Sequence, residues 1–386
     1  MAAHPVTDDA GLTLAVMAAS RKPDERRLAI DPHHLARIPE SLRSRVFLET
    51  GYGSRYGFAD ADLAGWVGGF GSHAELIERC DVVLQPKPTL ADVGELRPHQ
   101  VLWGWPHCVQ DATLVQLSID RRLTMIAFEQ MHHYQPDGSF SLHVFHKNNE
   151  LAGYCSVLHA LQLAGSTGHY GRRLNAAVLG FGATARGAVT ALTALGITSV
   201  DVLTRRDTEA VAAPIHAARI VHFDDDVVLA DPDGTSPDPE PQPQSLVSFL
   251  ADKDVIVNCS RQNPLAPLVF LTEADLTALA PGTLIIDVAC DTGMGFSWAR
   301  PTSFADPLLP LADRIAYYAV DHSPSYLWGS ATWENSKALL PFLAAVLAGP
   351  PGWDAEPTIA RAIEVRDGIV QNPAILAFQR RAEGYP

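Results

Sequence analysis

A strand–turn–helix segment with three small residues in its turn constrains the fold of this chain more than any other feature. Residues 176–179 are predicted to form a buried strand and residues 186–195 a helix. Between them come Gly180, Gly182 and Ala185 in a GxGxxA arrangement. The first glycine permits a tight turn, the second lets a pyrophosphate approach the backbone, and the alanine lets helix and strand pack closely. Free N–H groups at the helix start would bind the phosphates. This order predicts a dinucleotide-binding unit, rather than a glycine-rich turn that binds nothing.

The end of the following strand distinguishes between the two nicotinamide dinucleotides. An NAD site usually has a carboxylate there, which binds the ribose 2′-OH. This chain has Thr204, Arg205 and Arg206 instead, and Asp201 stands at the beginning of the strand. A 2′-phosphate favours guanidinium donors and a hydroxyl. We therefore predict NADP(H) in preference to NAD(H), and the alternative is that both arginines are solvated loop residues.

Composition and charge exclude several classes of protein. Hydrophobic residues make up 47% of the 386 residues and charged residues 19%, which excludes global disorder and suits two α/β domains. The formal charge of -15 disfavours nucleic acid and anionic membranes as partners.

The cysteines form no CxxC pair and the histidines lack metal-ligand spacing, so we predict neither a disulfide framework nor a metal site. The N-terminal sequence is unlike a signal peptide and no apolar run approaches ~20 residues, so we expect a cytoplasmic protein.

Short apolar runs separated by helical stretches predict parallel α/β units. In the first half, strands are predicted at residues 13–18, 46–49, 82–84, 101–105 and 124–128. After a helix that starts near Asn149, strands are predicted at residues 176–179, 199–203, 254–258, 283–287 and 315–320. Helices are predicted at residues 327–347 and 358–365.

These elements predict an α/β protein of two Rossmann-like domains. The second, residues 149–324, is the dinucleotide-binding parallel sheet. The first is a discontinuous substrate-binding and catalytic domain, formed by residues 1–148 and by residues 325–386, whose helices pack back on it. Residues 222–244 are rich in Asp and Pro, so we predict a partly mobile insert in the nucleotide domain.

Three basic side chains fall just after predicted strands of the first domain: Arg27, Lys87 and His107. An enzyme that acts on 2-oxo acids needs a guanidinium for the carboxylate and a titratable group near the carbonyl carbon. These residues could meet both needs. Spacing alone leaves two alternatives open, surface charge for Arg27 and Lys87 and a structural histidine for His107.

Several short motifs carry a family resemblance. In chain order they are KPDERR ending at Arg27, QPKP around Lys87, HCVQD from His107, VNCS around Cys259, IDVACDTG containing Asp291 and DHSPS from Asp321. Together they resemble the alanine dehydrogenase and lysine-forming saccharopine dehydrogenase family, and they look closest to its carboxyethylornithine synthase and saccharopine dehydrogenase types. The resemblance extends from about residue 13 to residue 347, outside the acidic insert.

The resemblance implies roles for individual residues. Lys87 and His107 match the active-site lysine and histidine of the family. Arg27 matches the arginine that contacts a substrate carboxylate, and Asp291 matches an active-site aspartate of alanine dehydrogenases. The resemblance also implies that Cys259 and Asp321 lie near the nicotinamide.

These features predict an NADP(H)-dependent opine-type oxidoreductase of amino acid metabolism. It would join the amine of an amino acid to a 2-oxo acid by reductive condensation, or cleave the secondary amine in reverse. One alternative is an alanine-dehydrogenase-like reaction with ammonia, and another is a noncatalytic NADP-binding sensor. We expect small-molecule substrates and a homo-oligomer.

Overall fold

The computed structural model describes residues 11–205, 215, 218–224, 227–230, 242–312 and 315–382. The chain forms two compact units. The first comprises Met1–His146 and Trp328–Pro386, and the second comprises Lys147–Leu327. Among the described residues, no helix combines the length and the apolar character that crossing a bilayer requires.

The elements of the described ranges have the following bounds. The strands are β1 (Leu14–Val16), β2 (Val46–Glu49), β3 (Gly69–Gly71), β4 (Val82–Gln85), β5 (Val101–Gly104), β6 (Thr124–Ala127), β7 (His132–Tyr134), β8 (Phe140–His143), β9 (Asn175–Leu179), β10 (Ser199–Thr204), β11 (Arg219–Asp224), β12 (Val227–Ala230), β13 (Gln242–Ser245), β14 (Val255–Asn258), β15 (Val269–Leu271), β16 (Leu284–Asp287), β17 (Gly295–Phe296), β18 (Leu308–Pro310), β19 (Ala316–Tyr318), β20 (Ile363–Arg366) and β21 (Ile369–Val370). The helices are α1 (Glu40–Arg43), α2 (Asp60–Leu63), α3 (His73–Arg79), α4 (Leu90–Glu95), α5 (Ala112–Asp120), α6 (His146–Leu163), α7 (Ala183–Ala194), α8 (Leu246–Leu250), α9 (Trp328–Leu339), α10 (Leu343–Leu347), α11 (Pro350–Ala355), α12 (Pro357–Ala360) and α13 (Pro373–Phe378).

The first unit is built on a sheet of order β21-β20-β6-β5-β4-β1-β2-β3. The strands from β6 to β3 are parallel, and β20 and β21 add an antiparallel edge. The central strands are continuous apolar runs because both faces of the sheet are covered. Lys87, His107 and Glu129 follow β4, β5 and β6, so they start from the same edge of the sheet.

One predicted element of the first unit is wrong. Residues 358–365 were expected to be helical, but α12 ends at Ala360 and β20 begins at Ile363. Ile363 and Val365 pair with Ile126 and Met125 of β6. Alternating β-branched residues favour a strand, and a partner strand distant in sequence fixes that choice.

The second unit is built on a sheet of order β13-β12-β11-β10-β9-β14-β16-β19-β18. The strands from β11 to β19 are parallel, and β12, β13 and β18 are antiparallel. This arrangement confirms the predicted α/β class with Rossmann-like, mainly parallel sheets.

The predicted insert at residues 222–244 is partly regular structure. Its first residues complete β11, and β12 and β13 extend the nucleotide-unit sheet. Val228 is fully buried beside Phe223 and Phe249, so this short apolar run contributes to the core. Residues 225–226 and 231–241, which contain most of its Asp and Pro, lie outside the described residues.

Candidate active site

The GxGxxA turn has the geometry that a pyrophosphate requires. Gly180 has a φ of +115°, and a Cβ there would lie 2.9 Å from the carbonyl oxygen of Cys259. Gly182 caps the first turn of α7, and a Cβ there would meet nothing within 4 Å. Ala185 is fully buried against the sheet. The turn therefore combines an obligatory glycine, open space and the positive end of a 12-residue helix, which fits a dinucleotide.

Close packing of two helices holds this turn in place. A Cβ on Gly187 of α7 would lie 1.8 Å from the carbonyl oxygen of Glu150, and one on Gly153 of α6 would lie 1.9 Å from that of Thr184. The two backbones therefore touch, and a larger residue at either glycine would move the start of α7.

The tip of β10 carries the residues predicted to select the cofactor. Thr204 ends the strand and is 3% exposed, whereas the Arg205 side chain is about half exposed and pairs with Asp224 at 3.4 Å. Arg206 lies outside the described residues. Asp201 binds Lys253 Nζ at 3.2 Å and Arg219 Nε at 2.8 Å, so two cations already engage its carboxylate.

A buried hydrogen-bond network joins three neighbouring strands of the second unit. The fully buried Asp287 accepts hydrogen bonds from Asn258 Nδ2 at 2.9 Å, the Tyr317 hydroxyl at 2.8 Å and the backbone N–H of Cys290 at 3.1 Å. Burial raises the pKa of Asp287 to about 6, although the three donors oppose this shift. The following loop contains Cys290, with a φ of +46°, and Asp291. The network therefore fixes the segment that presents Asp291.

The two predicted nicotinamide neighbours, Cys259 and Asp321, follow strands of this same sheet. Cys259 follows β14 and is half-buried, and burial raises the pKa of its thiol, so the sulfur is neutral. Asp321 follows β19 after two residues, and its Oδ1 lies 2.7 Å from Nδ1 of the buried His322.

In the first unit, the structure brings Lys87 and His107 into direct contact. Lys87 Nζ lies 2.8 Å from His107 Nε2. Because an ammonium only donates, this contact requires an unprotonated nitrogen on one partner, so the bond holds one shared proton. His107 has a φ of +51°, and its backbone N–H donates to Glu129 Oε1 at 2.7 Å. This bond stabilises the strained conformation that directs the imidazole toward Lys87.

Arg27 is held by two neighbours. Glu25 Oε1 accepts hydrogen bonds from the backbone N–H and Nε of Arg27, both at 2.9 Å, and Glu25 Oε2 lies 2.5 Å from a terminal nitrogen. Both side chains are buried. The guanidinium also lies over the ring of Trp105, 5.0 Å from the ring centroid. Trp105 comes two residues before His107 in the chain. Arg27 is thus a preoriented cation in the same unit as the lysine–histidine pair.

The sequence prediction of the site did not include Glu25, Trp105 and Glu129. The sequence does indicate Glu129, because this residue follows β6 in the same way that Lys87 follows β4 and His107 follows β5. Carboxyl ends of parallel strands meet at one edge, so an acid in that position should be considered with the two bases.

The second unit has a glycine-rich turn that fits a dinucleotide, and the first has a lysine–histidine contact suited to proton transfer; both features are typical of two-domain dehydrogenases. Family models described as alanine dehydrogenase/PNT, N-terminal domain and C-terminal domain match residues 16–152 and 163–373. The chain therefore belongs to the alanine dehydrogenase/PNT family, whose members bind a nicotinamide dinucleotide. The predicted family and enzyme class are confirmed.

Named relatives and a solved structure extend this comparison. An N(5)-(carboxyethyl)ornithine synthase of Clostridium botulinum is 24% identical over 82% of this chain and 89% of its own length. An alanine dehydrogenase of Mycobacterium tuberculosis is 23% identical over 90% of this chain and 92% of its own length. A structure of L-alanine dehydrogenase superimposes with a TM-score of 0.72 at 19% identity, covering 96% of this chain and 100% of that chain. The structural likeness shows a shared fold.

Proposed function

We propose that the protein is an NADP(H)-dependent opine-type oxidoreductase that joins the amine of an amino acid to a 2-oxo acid. The observation that carries this proposal is the 2.8 Å contact between Lys87 Nζ and His107 Nε2. The DHSPS motif from Asp321 and the relative named carboxyethylornithine synthase favour a secondary amine as the product.

The lysine–histidine pair supplies the acid–base chemistry of this reaction. The attacking amine must be neutral, so one member of the pair accepts its proton. The carbinolamine that forms must then lose hydroxide as water, and the pair returns the proton to that oxygen. A pair that holds a single proton at 2.8 Å can perform both transfers in turn. Bound NADPH supplies the hydride that reduces the imine.

Arg27 binds the carboxylate of the oxo acid. Its buried guanidinium is oriented by Glu25 and Trp105, so little side-chain entropy is lost when the substrate binds. Asp291 is assigned to substrate binding, where its carboxylate would accept a hydrogen bond from the substrate amine.

Thr204, Arg205 and Arg206 are assigned to the 2′-phosphate of the cofactor, because a hydroxyl ends β10 and two guanidinium groups follow it directly in the sequence. The variant carrying Arg205→Ala and Arg206→Ala should weaken NADPH binding far more than NADH binding. Equal loss for both dinucleotides would contradict this assignment.

A substrate screen tests the proposal. NADPH oxidation is measured with pyruvate or 2-oxoglutarate, each combined with ammonia, lysine or ornithine, and mass spectrometry identifies the product. Turnover that requires an amino acid and yields a secondary amine supports the proposal. Turnover with ammonia alone would favour the second candidate, an alanine-dehydrogenase-like reaction, for which the relative named alanine dehydrogenase argues. Tight NADPH binding without oxidation in any mixture would favour a sensor.

A further inference from the structure

Two acids, Glu129 and Glu364, lie near the lysine–histidine pair, and Glu129 binds the His107 backbone N–H. Glu129 belongs to the one-turn 3-10 segment Phe128–Gln130 that follows β6, and Glu364 belongs to β20, the antiparallel neighbour of β6. Glu364 is 1% exposed, and Oε2 of Glu129 is buried. The pairing of β6 with β20, which is distant in sequence, therefore brings two carboxyl groups into one region of the first unit.

One oxygen of each acid accepts a hydrogen bond from a neighbouring residue, and the Cys108 thiol and backbone N–H also stabilise the ionised form of Glu364. Glu129 Oε1 accepts from the backbone N–H of His107 at 2.7 Å. Glu364 Oε1 accepts from Asn372 Nδ2 at 2.9 Å and from Gln130 Nε2 at 3.4 Å. Oε2 of Glu129 and Oε2 of Glu364 are both buried with no hydrogen-bond partner in the part of the chain that the structure describes. A buried carboxylate oxygen without a donor is costly, and one proton placed between the two groups would satisfy both oxygens.

The surrounding charges favour such a proton. Burial and the nearby Glu364 raise the pKa of Glu129 to about 8, with Lys87 acting in the opposite direction, and burial raises the pKa of Glu364. Cys108 lies beside both acids, and burial and the charges of Glu364 and Glu129 raise the pKa of its thiol, with Asp111 adding to the effect. The thiol therefore adds no charge, and it donates a hydrogen bond to Glu364. Two neighbouring buried carboxyls do not both ionise at neutral pH.

We infer that Glu129 and Glu364 hold one proton between them and that Glu364 is a positioning residue for His107. The protonated carboxyl donates to the ionised one, and Glu129 Oε1 remains the acceptor of the His107 backbone N–H. The pair thus places one negative charge behind the lysine–histidine contact. Loss of the shared proton at alkaline pH adds a second negative charge there, which favours the protonated form of Lys87–His107.

Infrared spectroscopy of the full-length protein without substrates tests the pair directly. A carboxylic acid C=O band should be present in the wild-type protein at neutral pH and should disappear with an apparent pKa of about 8. Glu364→Gln should abolish the band, because the amide donates permanently to an ionised Glu129, and Glu129→Gln should abolish it likewise. Glu78→Gln, at an exposed position of α3, is the control and should retain it. A wild-type protein without the band, or a band that persists in both buried variants, would overturn the inference.

A third variant covers the case in which the buried substitutions do not fold. Asn372→Ala keeps both acids but removes a donor that stabilises the ionised form of Glu364. The band should therefore persist and disappear at higher pH than in the wild-type protein. An unchanged or lowered midpoint would contradict the shared proton.

The consequence for turnover rests on the proposed function and has a separate readout. Wild type and Glu364→Gln carry the same charge behind His107 below about pH 8, but only wild type gains the second charge above it. The alkaline limb of the kcat/KM profile should therefore move to lower pH in Glu364→Gln, by about one pH unit. If kcat/KM falls at the same alkaline pH in both proteins, Glu364 has no positioning role. Because the infrared band needs no substrate, failure to find opine activity leaves the test of the shared proton intact.

Discussion

At the residue scale, the candidate site depends on side chains whose neighbours fix their charge and direction. Sequence reasoning identified Arg27, Lys87 and His107 because all three fall just after predicted strands and match motifs of the family. It could not identify Trp105 or Glu364 as neighbours of those residues. The contact of Trp105 with Arg27 and the approach of Glu364 to Glu129 depend on tertiary packing, which no local pattern encodes.

The lysine–histidine pair gives the first prediction. Lys87→Met and His107→Ala should each lower turnover by ~10²-fold or more, because each removes one end of the proton transfer. Circular dichroism should show an intact fold, since both side chains are at least partly exposed. Lys337→Met, at an exposed position of α9, is the matched control and should turn over normally. Near-normal turnover in both site variants would remove the pair from the mechanism.

Trp105 gives the second prediction, which separates binding from chemistry. Trp105→Leu removes the ring beneath Arg27, a contact worth about 1 kcal/mol, so the KM for the oxo acid should rise about fivefold or more. Trp105→Phe keeps an aromatic face and should have a smaller effect. Trp66→Leu removes a more exposed ring beneath Arg43, at 4.6 Å, and serves as the control for general loss of such a contact. An unchanged KM in Trp105→Leu would show that the ring does not orient Arg27 for substrate.

At the element scale, predictions were best for strands buried on both faces. The strand Val82–Gln85 is buried at every position and differs by one residue from the predicted bounds 82–84, because continuous apolar runs need no partner to be recognised. The prediction was wrong for β20 and incomplete for β12 and β13, which lie toward the edges of the sheets. In short edge strands the pairing partner decides the conformation, and the local sequence alone is ambiguous.

The GxGxxA turn gives a prediction that separates stability from binding. Gly182→Ala should leave the Tm unchanged, because its Cβ meets nothing within 4 Å. It should nevertheless weaken dinucleotide binding by about tenfold or more, since the methyl group occupies the space for the pyrophosphate. Gly329→Ala also adds a methyl group in open space and should bind the dinucleotide normally. Calorimetric Kd values and thermal melts check both variants, and unimpaired binding by Gly182→Ala would exclude this turn as the phosphate site.

The Asp287 network gives a prediction about pH. Folding raises the pKa of Asp287 from 3.8 to about 6, so the folded state binds its proton more tightly than the unfolded state does. The free energy of unfolding therefore loses a contribution as the pH rises through that interval. Asp287→Asn removes this slope and leaves one donor without an acceptor, at a cost of about 1–3 kcal/mol.

Urea denaturation of both proteins between about pH 3.5 and about pH 7 measures this effect. The stability lost on substitution should be largest at the acid end and should shrink toward neutral pH. Asp306→Asn, at an exposed position, provides the comparison and should show no such trend. A loss that grows with pH would mean that the folded state stabilises the ionised Asp287.

At the scale of the whole molecule, net charge and local charge oppose each other. The chain has a formal charge of -15, whereas the proposed cofactor and oxo acid are both anions. The long-range field therefore repels the ligands that Arg27 and the arginines after β10 attract at short range. Salt screens the distant charges before it weakens direct ion pairs, because the Debye length is about 30 Å at 0.01 M and about 10 Å at 0.1 M.

The dependence on ionic strength follows from this opposition. The kcat/KM for NADPH should rise between about 10 mM and about 100 mM salt as the repulsion is screened, and should fall at higher salt as direct contacts weaken. NADH lacks the 2′-phosphate and should show a shallower rise. In the variant with Arg205→Ala and Arg206→Ala, the fall at high salt should become smaller, because the contacts that salt weakens are already gone. The alternative outcome is a steady decrease of wild-type kcat/KM from the lowest salt concentration upward. It would mean that attraction by the local guanidinium groups exceeds repulsion by the net charge at every distance. The net negative charge of the protein would then not slow cofactor binding.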